Sequence, residues 1–176
     1  PLRTVQGKPA VIVTFLQGMS PRRPDVDQCR NLGAGLARFH RSLDDFRMRR
    51  PNDLSIAAWP KLWAGRAAEA DALTPGLSKQ IDGDLDFLKA NWPKTLPGGA
   101  IHADLFPDNT FFLDGKLSGV IDFYFACTDF LAYDIAVCLN AWCFEPDNTY
   151  DIAKGRALLR DYARVRRLQP TEVAAL

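Results

Sequence analysis

Between Val11 and Leu16 the chain reads Val-Ile-Val-Thr-Phe-Leu, and Gln17-Gly18 with Pro21 and Pro24 close the run. A short β-branched apolar stretch closed this way predicts a strand followed by a turn-rich connection. Leu32, Leu36, Phe39 and Leu43 then recur at helical spacing and mark one face of an amphipathic helix. Gly33 and Gly35 fall inside it, each at a cost of about 1 kcal/mol relative to Ala, which close packing would justify. A loop from Pro51 to Pro60 precedes a helix expected over about 61–73, ended by Thr74-Pro75-Gly76. A second helix is expected from about Leu77 to Trp92, and Pro93 and Pro97-Gly98-Gly99 stop it.

The pattern then changes. Ala100-Ile101 lead into a polar loop, His102 to Asn109, and Thr110-Phe111-Phe112-Leu113 follow. Asp114-Gly115 is a strong hairpin signal, with Leu117 to Ile121 as the returning strand. From about Phe130 to Phe144 the chain is apolar nearly all round, as in a buried helix, and Asp129 is placed to cap it. A last amphipathic helix is expected over Ile152 to Val165.

Composition bounds what such a chain does. With 176 residues, 47% hydrophobic and 24% charged, it has the balance of one globular domain or one lobe of a larger one. The 22 Lys and Arg nearly cancel 21 Asp and Glu, which argues against a dedicated nucleic-acid binder. Basic clusters such as Arg47 to Arg50 read as solvated faces. No apolar run is long enough for a membrane span. Cys29, Cys127, Cys138 and Cys143 form no CxxC pair and read as small buried hydrophobes in a reducing cytoplasm. Pro1 in place of Met, and a helix start at Pro170-Thr171-Glu172 just before Leu176, give the expectation of a partial chain.

The candidate chemistry lies at the hairpin. A two-residue turn brings Asn109, before the first strand, beside Asp122, after the second, and Asp104 sits on the same loop. Two acids and an amide make an oxygen-rich locale suited to Mg²⁺. The order His102-x-Asp104-x-x-x-x-Asn109, then a hairpin, then Asp122-Phe123, is the spacing used for phosphoryl transfer. Each residue also has a plainer reading: Asp104 and Asp108 as turn formers, Asn109 as a turn cap, Asp122 as a strand terminator. His102 reads as structural, pinning backbone. Asp134 sits in the apolar helix, where an unpaired carboxylate is costly. It either faces solvent or accepts hydrogen bonds from another buried element, the amides of the Asp104 loop being the attractive donors.

Ile101 to Asn109, Gly119-Val120-Ile121-Asp122-Phe123, Asp129 and Tyr133-Asp134 resemble the aminoglycoside phosphotransferase and choline kinase superfamily, whose members share the protein-kinase-like fold. Asp122 to Cys127 and Leu139 to Glu145 are similar, more narrowly, to the bacterial homoserine kinases of that superfamily. The resemblance implies an α+β fold: a mainly helical C-lobe over 19–176, with its catalytic loop at 102–109 and a metal-binding hairpin at 109–123. Residues 1–18 would be the last N-lobe strand and hinge, most of the N-lobe being absent.

The resemblance further implies Asp104 as catalytic base and Asn109 and Asp122 as Mg²⁺ ligands. Phe15, Leu16, Gln17 and Gly18 would pair with the adenine of ATP, with Phe111 and Ile121 beneath it. Asp134 would brace the catalytic loop, with His102 in support. L-Homoserine is the implied acceptor, phosphorylated on its hydroxyl in threonine biosynthesis, and Tyr124, Trp142 and Glu145 are candidates for its pocket. An amino acid needs a cation for its carboxylate and an acid for its ammonium, and the sequence does not say which Arg serves. No glycine-rich phosphate loop, strand Lys or helix Glu is present; these would precede Pro1, so the resemblance gives the chain the acceptor and metal half of a kinase without its phosphate clamp.

Three other readings stay open. The acceptor could be an aminoglycoside or a choline-like amino alcohol, cations whose sites need acids. A metal-dependent hydrolase could use His102, Asp104 and Asp122, although His40 is the only other histidine. A non-catalytic lobe could bind nucleotide or a partner. Oligomeric state is not legible.

Overall fold

The computed structural model describes residues 3–176. Pro1 and Leu2, which open the expected strand-and-hinge segment 1–18, lie outside the described residues. A small hairpin comes first, β1 (Arg3–Val5) with β2 (Lys8–Ala10), turning through Gln6-Gly7. Residues 11–17 follow without regular structure, and Ile12, Val13 and Phe15 are 94%, 76% and 86% exposed. The strand expected over Val11 to Leu16 is therefore not formed. A strand exists by pairing, and among the described residues no other strand pairs with this one.

The helix through Leu32 and Leu36 is α1 (Val26–Ser42), opened by a capping box between Asp25 and Gln28. The helix expected over 61–73 is two, α2 (Trp59–Trp63) and α3 (Ala67–Leu73), because the chain turns at Gly65 between them. α4 (Leu77–Asn91) ends before Pro93 as read. β3 (Gly98–Ile101) leads to the polar loop. The hairpin of β4 (Thr110–Leu113) and β5 (Lys116–Val120) turns at Asp114-Gly115, both at positive φ (50° and 75°), as a two-residue turn requires.

A third two-stranded sheet was not visible in the pattern. β6 (Cys127–Phe130) pairs antiparallel with β3, Gly98 opposite Phe130 and Ile101 opposite Cys127. This corrects the expectation for Asp129, which does not cap the next helix, α5 (Leu131–Trp142). The cap position is Phe130 and carries no side-chain bond, while the Leu131 amide donates to the Pro97 carbonyl at 3.0 Å. α6 (Ile152–Val165), capped by Asp151, and α7 (Pro170–Ala175) complete the chain.

One core joins α1, α5 and α6 to the polar loop and the hairpin: Leu32, Leu36, Ile135, Leu158 and Tyr162 pack with Leu105 and Phe112. All four cysteines are buried free thiols. Gly33 explains itself here, since a Cβ on it would lie 2.1 Å from the Leu158 carbonyl oxygen of α6. Gly33→Ala is expected to destabilise by about 1–3 kcal/mol, because helix backbones cannot yield as side-chain ends do. Gly83→Ala in α4, where a Cβ meets nothing within 4 Å, should stabilise by roughly 0.5–1 kcal/mol. Thermal melts of the two variants should move in opposite directions.

Candidate active site

Asp134 organises the site from the first turn of α5. Its side chain is fully buried, and its two oxygens accept the amides of His102 (2.9 Å) and Ala103 (2.8 Å). These are the loop amides named above as candidate donors. They hold Ala103 at a φ of 64°, a conformation costly for a residue with a Cβ, so the residue before Asp104 is fixed rather than free.

A third partner was missed. His40 Nε2 lies 3.0 Å from the Asp134 carboxylate, and His40 Nδ1 lies 2.8 Å from the Tyr162 hydroxyl. Burial pushes the Tyr162 phenol well above the usual tyrosine range. Arg166 donates to the same hydroxyl and pairs with buried Glu172, so a polar chain runs from α7 to the loop. The available signal was spacing: His40 follows Leu36 by four residues and Leu32 by eight, on the stripe that packs inward.

His102 pins the other side of the loop. Its buried ring contacts the Ile121 carbonyl through Nε2 at 2.9 Å and accepts the Asp104 amide through Nδ1 at 3.3 Å, while Phe123 covers it at 4.8 Å between centroids. Asn109 reaches back to the same loop. Its Nδ2 donates to the Asp104 carbonyl (2.8 Å) and to the Asp104 carboxylate (3.2 Å). That leaves Asn109 Oδ1 as an acceptor. The Ile121 amide donates to the Asn109 carbonyl at 3.0 Å, which joins both ends of the hairpin and sets Asp122 next in line. Asp122 is exposed, at a φ of 61°, and its carboxylate receives only a long 3.4 Å bond from the Tyr124 amide. Hard oxygens with spare lone pairs on Asn109 and Asp122 fit Mg²⁺.

Residues 16–19 dock on the back of the hairpin. Leu16 lies against the backbone at Gly119, and the Gln17 carbonyl accepts the Ser118 hydroxyl at 2.6 Å. Gly18 has a φ of 131° and no room for a Cβ, which would meet the Phe112 carbonyl at 2.7 Å. Met19 and Phe112 exchange both main-chain bonds at 3.0 Å. Phe15 stands exposed beside this docked segment. Phe111 is half-buried between buried Thr110 and Phe112, so it points to the opposite face of β4. Ile121 is also half-buried.

The three pocket candidates separate. Tyr124, 71% exposed, lines a cavity of about 250 Å³ together with Arg50, Asn52, Asp53, Ala103 and Tyr133. Trp142 does not belong there. It is buried in the core, where its Nε1 donates to the Leu105 carbonyl at 2.8 Å and so holds the loop from beneath. Glu145 lies beyond the far end of α5, paired with Lys154. Eight residues of helix, about 12 Å, separate Asp134 from Trp142. Hydropathy around 139–145 could not show which way those side chains turn.

Residues 2–168 match the model of the phosphotransferase enzyme family. The chain belongs to that family. Among the family's curated members, a homoserine kinase of Xanthobacter autotrophicus is 59% identical over 99% of this chain and 54% of its own length. One from Rhizobium etli is 55% identical over the same shares of each chain. The chain thus spans about half the length of the curated relatives it matches. Among solved structures, an aminoglycoside-3'-phosphotransferase of type VIII superposes with a TM-score of 0.66 at 21% identity, covering 91% of this chain and 63% of that one. The family fold is therefore the α+β, protein-kinase-like one that the motifs implied.

Proposed function

We propose that this chain carries the acceptor and metal half of an ATP-dependent kinase that phosphorylates the hydroxyl of L-homoserine. The observation that carries the kinase reading is the bond from Asn109 to the Asp104 carboxylate, on a loop that Asp134 locks from below. The acceptor reading is supported by the relatives named homoserine kinase, which align with nearly the whole chain.

Asp104 takes the proton of the acceptor hydroxyl as its oxygen attacks the γ-phosphorus, and the bond from that phosphorus to ADP breaks. Asn109 Oδ1 and Asp122 would hold Mg²⁺, which when bound offsets charge on the phosphates. The main chain of Phe15 to Gly18 receives the adenine, with Phe111 and Ile121 under it. His102 is a positioning residue, and both its ring nitrogens are engaged by the protein. That same engagement counts against a hydrolase using His102 as a metal ligand. No helix among the described residues is long and apolar enough to cross a membrane. ATP use and four free thiols favour the cytoplasm.

The test is ADP release by a protein of the relatives' length that contains these residues, with L-homoserine, choline and kanamycin compared as acceptors. Release with homoserine alone is the expected result. Release only with choline or kanamycin would keep the kinase and discard the acceptor. Silence with all three, while Mg²⁺·ATP still binds, would favour a non-catalytic lobe. In the same protein Asp122→Ala should weaken Mg²⁺-dependent nucleotide binding by at least about tenfold, since even outer-shell partners of a metal cost that much. An unchanged Mg²⁺ dependence would remove Asp122 from the metal site.

A further inference from the structure

The cavity beside Ala103 is lined by two charged residues that form no ion pair among the described residues. Its wall is the segment 50–54, strapped down at several points. The Thr128 amide donates to the Arg50 carbonyl at 2.6 Å, Asn52 Nδ2 donates to Asp129 at 2.7 Å, and the Tyr133 hydroxyl donates to the Leu54 carbonyl at 2.9 Å. Asn52 accepts the Leu54 amide at 2.9 Å, so Asn52, Asp129 and Tyr133 are engaged in holding the wall.

Arg50 and Asp53 are different. Arg50 gives one nitrogen to the carbonyls of Tyr124 (2.5 Å) and Ala126 (3.4 Å), which fixes the guanidinium at the cavity edge. The rest of its fork of donors has no protein acceptor, and no carboxylate among the described residues lies within 4.0 Å of it. Asp53 likewise has no ion pair and no hydrogen bond among the described residues. The cavity thus presents one cation and one anion, each without an ion-pair partner among the described residues, next to the residue that precedes Asp104.

We propose that this cavity is the acceptor site: Arg50 binds the α-carboxylate and Asp53 the α-ammonium of an amino acid, directing its side-chain hydroxyl toward Asp104. The assignment rests on the homoserine reading and deepens it. A guanidinium matches a carboxylate with two parallel bonds, and an anion nearby matches the ammonium. A volume of about 250 Å³ falls just under the range for drug-sized ligands and suits a small one. The same arrangement disfavours an aminoglycoside or choline, since a cation without a carboxylate would leave the Arg50 charge unpaired.

The experiment compares L-homoserine with 3-aminopropan-1-ol, which lacks the carboxylate, and 4-hydroxybutyrate, which lacks the ammonium. It uses a protein of the relatives' length, with Mg²⁺·ATP binding measured beside turnover. Arg50→Ala should lower kcat/KM for homoserine by about 10–100-fold, the scale of one charge-assisted pair, and leave 3-aminopropan-1-ol unchanged. Asp53→Asn, which breaks no bond in the fold, should do the same for homoserine and leave 4-hydroxybutyrate unchanged. Equal losses on homoserine and the truncated acceptor in both variants, or no loss in Asp53→Asn, would overturn the cavity assignment with the homoserine reading intact. Absence of homoserine turnover in the unsubstituted protein would instead overturn that reading, and this assignment with it.

Discussion

Asp104→Ala is expected to lower kcat by at least about 10²-fold, the scale of a general base and its positioning, while Mg²⁺·ATP affinity changes little. The residue is half-buried, and its orientation is set three ways: by Asn109 on its carboxylate and carbonyl, by the His102 ring on its amide, and by the fixed turn at Ala103. None of those bonds depends on the nucleotide, so truncation removes the proton acceptor and leaves the nucleotide site intact. Asp104→Asn retains the shape without the basicity and should lose a comparable factor. Steady-state kcat with a parallel titration of Mg²⁺·ATP measures both quantities. If affinity collapsed while bound ATP still turned over, Asp104 would belong to the nucleotide site.

Asp134→Ala is expected to cost about 3–5 kcal/mol of stability, as when one partner of a buried polar cluster is removed. For a domain of this size that is a fall in Tm on the order of 10 °C. The substitution strands the His102 and Ala103 amides and His40 Nε2 together in the core. Every buried side-chain nitrogen and oxygen among the described residues is otherwise satisfied. Asp134→Asn should fall between, since an amide oxygen can accept one loop amide while its NH₂ faces the other donors. Differential scanning calorimetry of the two variants tests the order. A double-mutant cycle with His40→Ala should show less than additive loss, because the second removal takes away a donor already stranded. A Tm within about 2 °C of the unsubstituted protein would mean that water or a shifted loop replaces the carboxylate.

The hairpin, its Asp114-Gly115 turn, the amphipathic face of α1 and the limits of α6 were legible in the residues alone. Each is local: helical spacing, or a turn that only certain residues accept. The order of His102, Asp104, Asn109 and Asp122 was legible for the same reason, since a tight turn brings residues near in sequence together in space. The amides that Asp134 accepts were anticipated as candidates because an isolated acid in an apolar helix restricts its possible surroundings.

The tertiary structure alone decided the rest. Pairing of β3 with β6 joins residues 98–101 to 127–130, and no short-range pattern encodes that partner. Trp142 and Glu145 stood near each other in sequence, yet packing put the indole into the core and the carboxylate against Lys154. Val11 to Leu16 had strand composition but pair with no strand among the described residues, and composition cannot supply a hydrogen-bonded neighbour. His40 and Arg50 read as an ordinary helix residue and part of a basic run until α5 and β6 came beside them. A side chain's chemistry is written in the sequence, but its partners are set by contacts between distant segments, and those exist only once the chain has closed around its core.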